Sequence, residues 1–131
     1  MKFELIILGS NSAVPAFGRH LSSQVLNIGE DFFLIDCGDG TQNRMMNFKV
    51  KANKINRIFI SHLHGDHFFG LVGLLMNFGL KRRKTPLHIY SPAGLKPIID
   101  IQLEHDLGYP ICFHETNPEK HALLFENRSV K

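Results

Sequence analysis

The chain predicts an α/β domain. Apolar runs of strand length recur along its 131 residues, as in "FELIILG", "INRIFIS" and "PLHIYSP". Between them lie stretches with helical patterning, "TQNRMMNFKV", "HFFGLVGLLMNFG" and "AGLKPIIDIQLEHDLG". Glycine and proline clusters punctuate this alternation of apolar strands and helices, which is the pattern of an α/β sheet.

"FELIILG" reads as the first strand, and the loop "GSNSAVPAFGRH" follows it. "SSQVLNIGEDFFLIDCGDG" reads as a hairpin, with strands from Gln24 to Ile28 and from Phe32 to Asp36 around a turn at Gly29–Asp31. The second strand runs into an acidic turn flanked by glycines. Thr41 is placed to cap a short helix, with Met45, Met46 and Phe48 as its apolar stripe. "INRIFIS" is a strand of the buried kind, and "HLHGDH" makes a loop. "HFFGLVGLLMNFG" is apolar nearly all round, which predicts a helix buried between layers. Gly70 and Gly73 within it each cost about 1 kcal/mol, which implies close backbone packing. "PLHIYSP" is a strand, "AGLKPIIDIQLEHDLG" a helix, and "ICFHE" and "ALLFENRSV" are the last strand candidates.

A chain stopping in such a segment leaves one face of its sheet uncovered, which is unusual for an α/β fold. Residues 1–131 are therefore expected to be the N-terminal part of a single domain.

A chain that is 44% hydrophobic and 21% charged excludes extensive disorder, and a net charge of +3 leaves anionic partners open without requiring them. No apolar stretch approaches the ~20 residues of a membrane span, and "MKFELIILGSNS" alternates like a strand instead of forming a secretory signal. Cys37 and Cys112 lack CxxC spacing and read as free thiols of a reducing compartment, so a cytoplasmic location is expected.

The chemistry concentrates in "FISHLHGDHFFG", with three histidines and an aspartate between His62 and His67. His62 and His64 are two apart, so in extended chain their rings leave the same side and can grip one ion. Asp66 and His67 follow Gly65, where a sharp turn would aim a second pair at a neighbouring point. Imidazoles with a carboxylate suit zinc or a similar divalent ion without any thiol. A strand's carboxyl end before a helix is also where α/β folds keep their sites. The spacing is not that of HExxH. Asp66 alone would serve as a helix cap, but three clustered histidines are not explained that way.

"HLHGDH" resembles the HxHxDH motif of the metallo-β-lactamase fold, an αββα sandwich of which this chain would be the N-terminal half. "HLSSQVLNI", "FFLIDCGDGTQ" and "INRIFISHLHGDHFFGLVGLL" are similar to the ribonuclease Z family of tRNA 3′-processing endonucleases, from Phe3 to about Leu75 and more loosely through "LHIYSPAGLKPII". The resemblance implies two zinc ions in the complete enzyme, one held by His62 and His64, the other by Asp66 and His67. It implies metal-activated attack of water on the phosphodiester, with Asp66 taking the proton. The substrate would be precursor tRNA, cut to release its 3′ trailer, and the complete enzyme a cytoplasmic homodimer with no membrane association. Asp36, at the end of a neighbouring strand, would orient a metal ligand through hydrogen bonds; an Asx turn beside glycines is compatible with that role.

The family's early substrate loop, Pro-x-Lys-x-Arg-Asn, corresponds here to Pro15, Phe17, Arg19 and His20. Arg19 retains the capacity for bidentate pairing with an RNA phosphate. Phe17 replaces the lysine and either stacks on a base or anchors the loop. The basic run Lys81, Arg82, Arg83 and Lys84 is a further candidate RNA contact, although solvated helix ends commonly look the same. His88, His105, His114 and His121 stand singly and read as ordinary core or surface residues.

The family's later metal ligands and tRNA-clasping arm are not found by Lys131, so this chain is expected to hold zinc partially or not at all and to turn over little. Another hydrolase or phosphodiesterase of the same fold, and a non-catalytic binding remnant, are the alternatives.

Overall fold

The computed structural model describes residues 1–103 and 105–130. Its strands are β1 (Phe3–Gly9), β2 (Ser23–Ile28), β3 (Asp31–Ile35), β4 (Ile55–Phe59), β5 (Leu87–Pro92) and β6 (Ile111–Thr116). They form a six-stranded sheet in sequential order. β1, β2 and β3 pair antiparallel, as the tight hairpin at Gly29 (φ 64°) allows. β3 to β6 pair parallel, so each step needs a crossover. The crossovers carry α1 (Thr41–Asn47), α2 (Leu71–Leu80) and α3 (Leu95–Gln102). Because the strands advance in one direction, right-handed crossovers put all three helices on one face.

That face is the core. Val25, Leu34, Ile58 and Ile89 from successive strands meet Met45, Leu71, Leu74, Leu75, Phe78, Leu95 and Ile99 from the helices. The opposite face is apolar as well: Leu5, Leu26 and Phe33 lie in register, and so do Ile35, Phe59, Tyr90 and His114. A sheet apolar on both faces is built to be covered twice. Among the described residues the second covering is the terminal segment, whose Phe125 ring lies 5.9 Å from that of Phe33 and 3.6 Å from the Arg57 guanidinium.

Several expectations are corrected. "ALLFENRSV" forms no strand; Phe125 packs across the apolar outer face instead of extending the ladder. Thr41 is not the cap: Gly40 (φ 84°) holds that position, and the Thr41 hydroxyl donates to the Gly38 carbonyl at 2.7 Å. α2 is buried on one side only, through Leu71, Leu74, Leu75 and Phe78, while Met76 and Leu80 are exposed. Its all-round apolarity therefore does not place it between two layers of the described residues. Close packing is confirmed at its start, where a Cβ on Gly70 would stand 2.2 Å from the Gly38 carbonyl oxygen. Among the described residues no helix is long and apolar enough to cross a membrane.

Candidate metal centre

β3 and β4 run parallel with Ile35 beside Phe59, so their carboxyl ends open side by side. Asp36 follows in the left-handed region (φ 58°), a conformation aspartate tolerates better than most residues. Its N–H donates to the Phe59 carbonyl at 2.8 Å. The next peptide ties the histidine loop down: Cys37 N–H donates to the His67 carbonyl at 2.7 Å, and Gly70 N–H donates to the Cys37 carbonyl at 2.9 Å.

The Asp36 carboxylate is buried and surrounded by donors. Oδ1 accepts from the Ser61 N–H at 2.8 Å, while Oδ2 accepts from the Ser61 hydroxyl at 2.9 Å and from His67 Nδ1 at 2.6 Å. The Ser22 hydroxyl stands at 3.4 Å. Burying a carboxylate is tolerable because each oxygen is hydrogen-bonded. The His67 ring is thereby fixed, with its Nδ1 turned to the carboxylate.

The loop brings its ligand candidates together. The His62 and His64 ring centres are 4.8 Å apart, and those of His62 and His67 are 3.9 Å apart. The rings thus form one cluster, with His67 nearer to His62 than His64 is. Gly65 does not turn the chain through a positive φ; it begins a 3-10 turn, Gly65–His67. A Cβ there would sit 2.1 Å from the ring of the exposed Phe69, which would have to swing aside. Asp66 Oδ2 accepts from the Ala13 N–H at 3.0 Å. That bond, foremost, holds the Asp66 carboxyl below the usual carboxylate range, against some desolvation and with help from His67 and His62.

The donor set fits a divalent cation. With Nδ1–H of His67 donated to Asp36, its Nε2 presents a lone pair to Asp66 Oδ2 at 3.2 Å. Two acceptors face one another unless a second proton or a cation lies between them. Ligands at about 2.0–2.1 Å from a tetrahedral zinc stand roughly 3.3 Å apart, so the spacing suits a shared ion. Among the described residues no three such side chains already form a finished cage. Cys37 is fully buried, and burial, chiefly, pushes its thiol up to about 12.

The other candidates are elsewhere. Phe17 and Arg19 lie exposed on the loop that also carries Ala13 (φ 60°). The basic run follows α2 at its far end, ~15 Å along a ten-residue helix from the histidine loop. A groove of about 920 Å³ between α1 and α2 links the two, from Phe69 and Gly70 to Lys81 and Lys84, and it does not contain the histidines. Lys81, Arg82 and Lys84 are exposed. Arg83 departs from expectation as a free cation, because its guanidinium donates to the carbonyls of Ile55, Thr85 and Pro86 and to Asn56 Oδ1. Sequence reasoning missed Ser61, Ser22 and the Ala13 N–H. A serine between a strand end and the first histidine was the available signal for Ser61; a backbone donor in a distant loop leaves none.

A partly parallel sheet with helices on one face and a histidine loop at the strand ends is the N-terminal half of the metallo-β-lactamase fold. Human tRNase Z, short form (ELAC1), superposes with a TM-score of 0.84 at 35% identity, covering 95% of this chain and 56% of that one. The metallo-β-lactamase fold protein YhfI from Bacillus subtilis superposes at 0.70 with 21% identity, covering 88% of this chain and 47% of that one, a likeness of fold alone. Ribonuclease Z of Bacteroides fragilis is 45% identical over 98% of this chain and 43% of its own length. Residues 3–110 match the family described as Anti-Pycsar protein Apyc1, and the chain belongs to that family. The expected similarity to ribonuclease Z therefore extends over nearly the whole chain, which spans less than half the length of such curated relatives.

Proposed function

We propose that this chain is the N-terminal portion of a zinc-dependent endoribonuclease that removes the 3′ trailer from precursor tRNA, cytoplasmic and homodimeric when complete. The observation that carries the reading is the histidine cluster anchored on Asp36 at the carboxyl ends of β3 and β4, in a chain 45% identical to a protein named Ribonuclease Z. His62, His64, Asp66 and His67 would hold the metal. Zinc bound there supplies positive charge that lowers the pKa of water and neutralises phosphoryl oxygens.

The chain's own residues do the remaining work. Asp36 fixes the His67 ring by its 2.6 Å bond, leaving Nε2 free. Asp66, whose carboxylate accepts from the Ala13 N–H, would take the proton from attacking water. Its bond to Ala13 ties it to the loop carrying Phe17 and Arg19, so RNA held by that loop lies beside the reacting group. Lys81 and Lys84, which line the groove, would attract the phosphate backbone farther along it, with Arg82 exposed beside them in sequence. The exposed apolar side of α2 is available to a second subunit.

The test is His62→Ala in the complete enzyme, which is expected to abolish cleavage of a precursor tRNA with a 3′ trailer. Retained cleavage at wild-type zinc content overturns the reading. The family's own description names a role other than tRNA processing, which favours another hydrolase of this fold as a second reading. A small phosphodiester offered in parallel separates the two: its hydrolysis without trailer cleavage selects the second.

A further inference from the structure

Ser61 sits at the junction of the whole cluster. Its hydroxyl is 2.9 Å from Asp36 Oδ2, 3.1 Å from His62 Nδ1 and 3.3 Å from His67 Nδ1. Hydrogen-bonding capacity decides which of these contacts is which. A carboxylate only accepts, and a serine hydroxyl has one proton to give and two lone pairs. The bond to a carboxylate is charge-assisted and takes that proton. His67 Nδ1 has a shorter path to the same oxygen, at 2.6 Å, so its own proton goes to Asp36 directly. The hydroxyl oxygen is then left as an acceptor, and the ring nitrogen facing it most closely is His62 Nδ1.

We infer that Ser61 is a positioning residue: it relays the Asp36 carboxylate to His62 and fixes that imidazole as the Nδ1–H tautomer, leaving the lone pair on Nε2. One buried carboxylate thereby orients two imidazoles, His67 directly and His62 through one hydroxyl. Both rings present the same nitrogen. The backbone reinforces the relay, because the Ser61 N–H holds Oδ1 at 2.8 Å and prevents the carboxylate from rotating away. The functional weight of this relay rests on the proposed metal role of His62; the tautomer itself does not.

The experiment uses the full chain, metal-free, with labelled histidine at pH 8, where long-range proton–nitrogen spectra distinguish the two tautomers. Wild type is expected to show His62 as Nδ1–H. Ser61→Ala is expected to move His62 toward Nε2–H while His67 stays Nδ1–H, and Ser61→Thr, which keeps a hydroxyl, restores the wild-type signature. An Nε2–H His62 in wild type, or the same His62 tautomer in wild type and Ser61→Ala, overturns the inference. Should Ser61→Ala fail to fold, the wild-type tautomer and that of Ser61→Thr still decide. Zinc titration of the complete enzyme against a chromophoric chelator supplies the second readout, with affinity expected to drop roughly 10-fold in Ser61→Ala and recover in Ser61→Thr. The expected tautomer in wild type with no zinc uptake by the complete enzyme supports the relay and counts against the metal reading instead.

Discussion

The carboxylate of Asp36 lies 2.6 Å from Nδ1 of His67, a contact made across 31 positions of sequence. It binds the turn after β3 to the loop after β4, so it is both a structural tie and the orienting bond of the site. Asp36→Ala would strand the Ser61 N–H, the Ser61 hydroxyl and His67 Nδ1–H in a partly buried place. Leaving buried donors unpaired costs about 1–3 kcal/mol each in isolation, and relaxation toward water reduces the sum. A loss of about 2–3 kcal/mol in urea unfolding is expected, with zinc affinity of the complete enzyme down roughly 10–100-fold. Asp36→Asn tolerates the left-handed backbone and should fall between. Wild-type stability in Asp36→Ala would remove Asp36 from the anchor role.

The two glycines around the start of α2 predict opposite signs. At Gly70 a Cβ would meet the Gly38 carbonyl oxygen at 2.2 Å, and backbone on both sides has nowhere to go. Gly70→Ala is expected to destabilise by about 1–3 kcal/mol through overpacking. At Gly73 the nearest atom is the Gln42 side-chain nitrogen at 3.0 Å, the far end of a flexible chain. Gly73→Ala should therefore be neutral or stabilise by up to about 1 kcal/mol, the helix-propensity difference. Thermal or urea unfolding of the two variants side by side checks the contrast; equal shifts would contradict it.

Local spacing explains what the sequence makes readable. His62, His64, Asp66 and His67 fall within six positions, so their convergence needs only one loop. The hairpin of β2 and β3 is readable to within a residue because alternation and Gly29 mark it. Ser61 and Ala13 are not readable as partners, since their contacts reach 25 and 53 positions away and one uses only backbone. α2 misleads because apolarity reports that a surface wants cover, not which layer supplies it. "ALLFENRSV" misleads for a related reason: the same residues suit a ladder and an apolar face equally, and here Phe125 takes the face.

The basic run separates into two kinds of residue, and variants should show it. Arg83 makes its four hydrogen bonds in a fixed fork and lies 5.0 Å from the Phe78 ring centre. Lysine reproduces neither the fork nor the stacking. Arg83→Lys is expected to lose about 1–2 kcal/mol of stability. Lys81→Ala, Arg82→Ala and Lys84→Ala should stay within about 0.5 kcal/mol of wild type. In the complete enzyme these three should weaken precursor tRNA binding and flatten its salt dependence. Unchanged salt dependence in the triple variant would leave these cations without an RNA role.

Tyr109 gives a pH dependence with a definite sign. Its hydroxyl donates to the Leu75 carbonyl at 2.7 Å, and its ring packs edge-on against Phe78. Burial, opposed by the charge of Arg83, pushes the phenol up to about 12 from an ordinary value of 10.0. The folded state therefore disfavours ionisation relative to the unfolded chain. Such a group contributes stability that is fully present below pH 10 and is lost as pH rises from about 10 through about 12. Tyr109→Phe removes both the hydrogen bond and the ionisable group. At pH 7 it is expected to cost about 1 kcal/mol. Between pH 10 and 12, wild type should lose stability faster than the variant, so their urea midpoints converge. Parallel pH profiles for the two proteins would show that the phenol is not held neutral by burial.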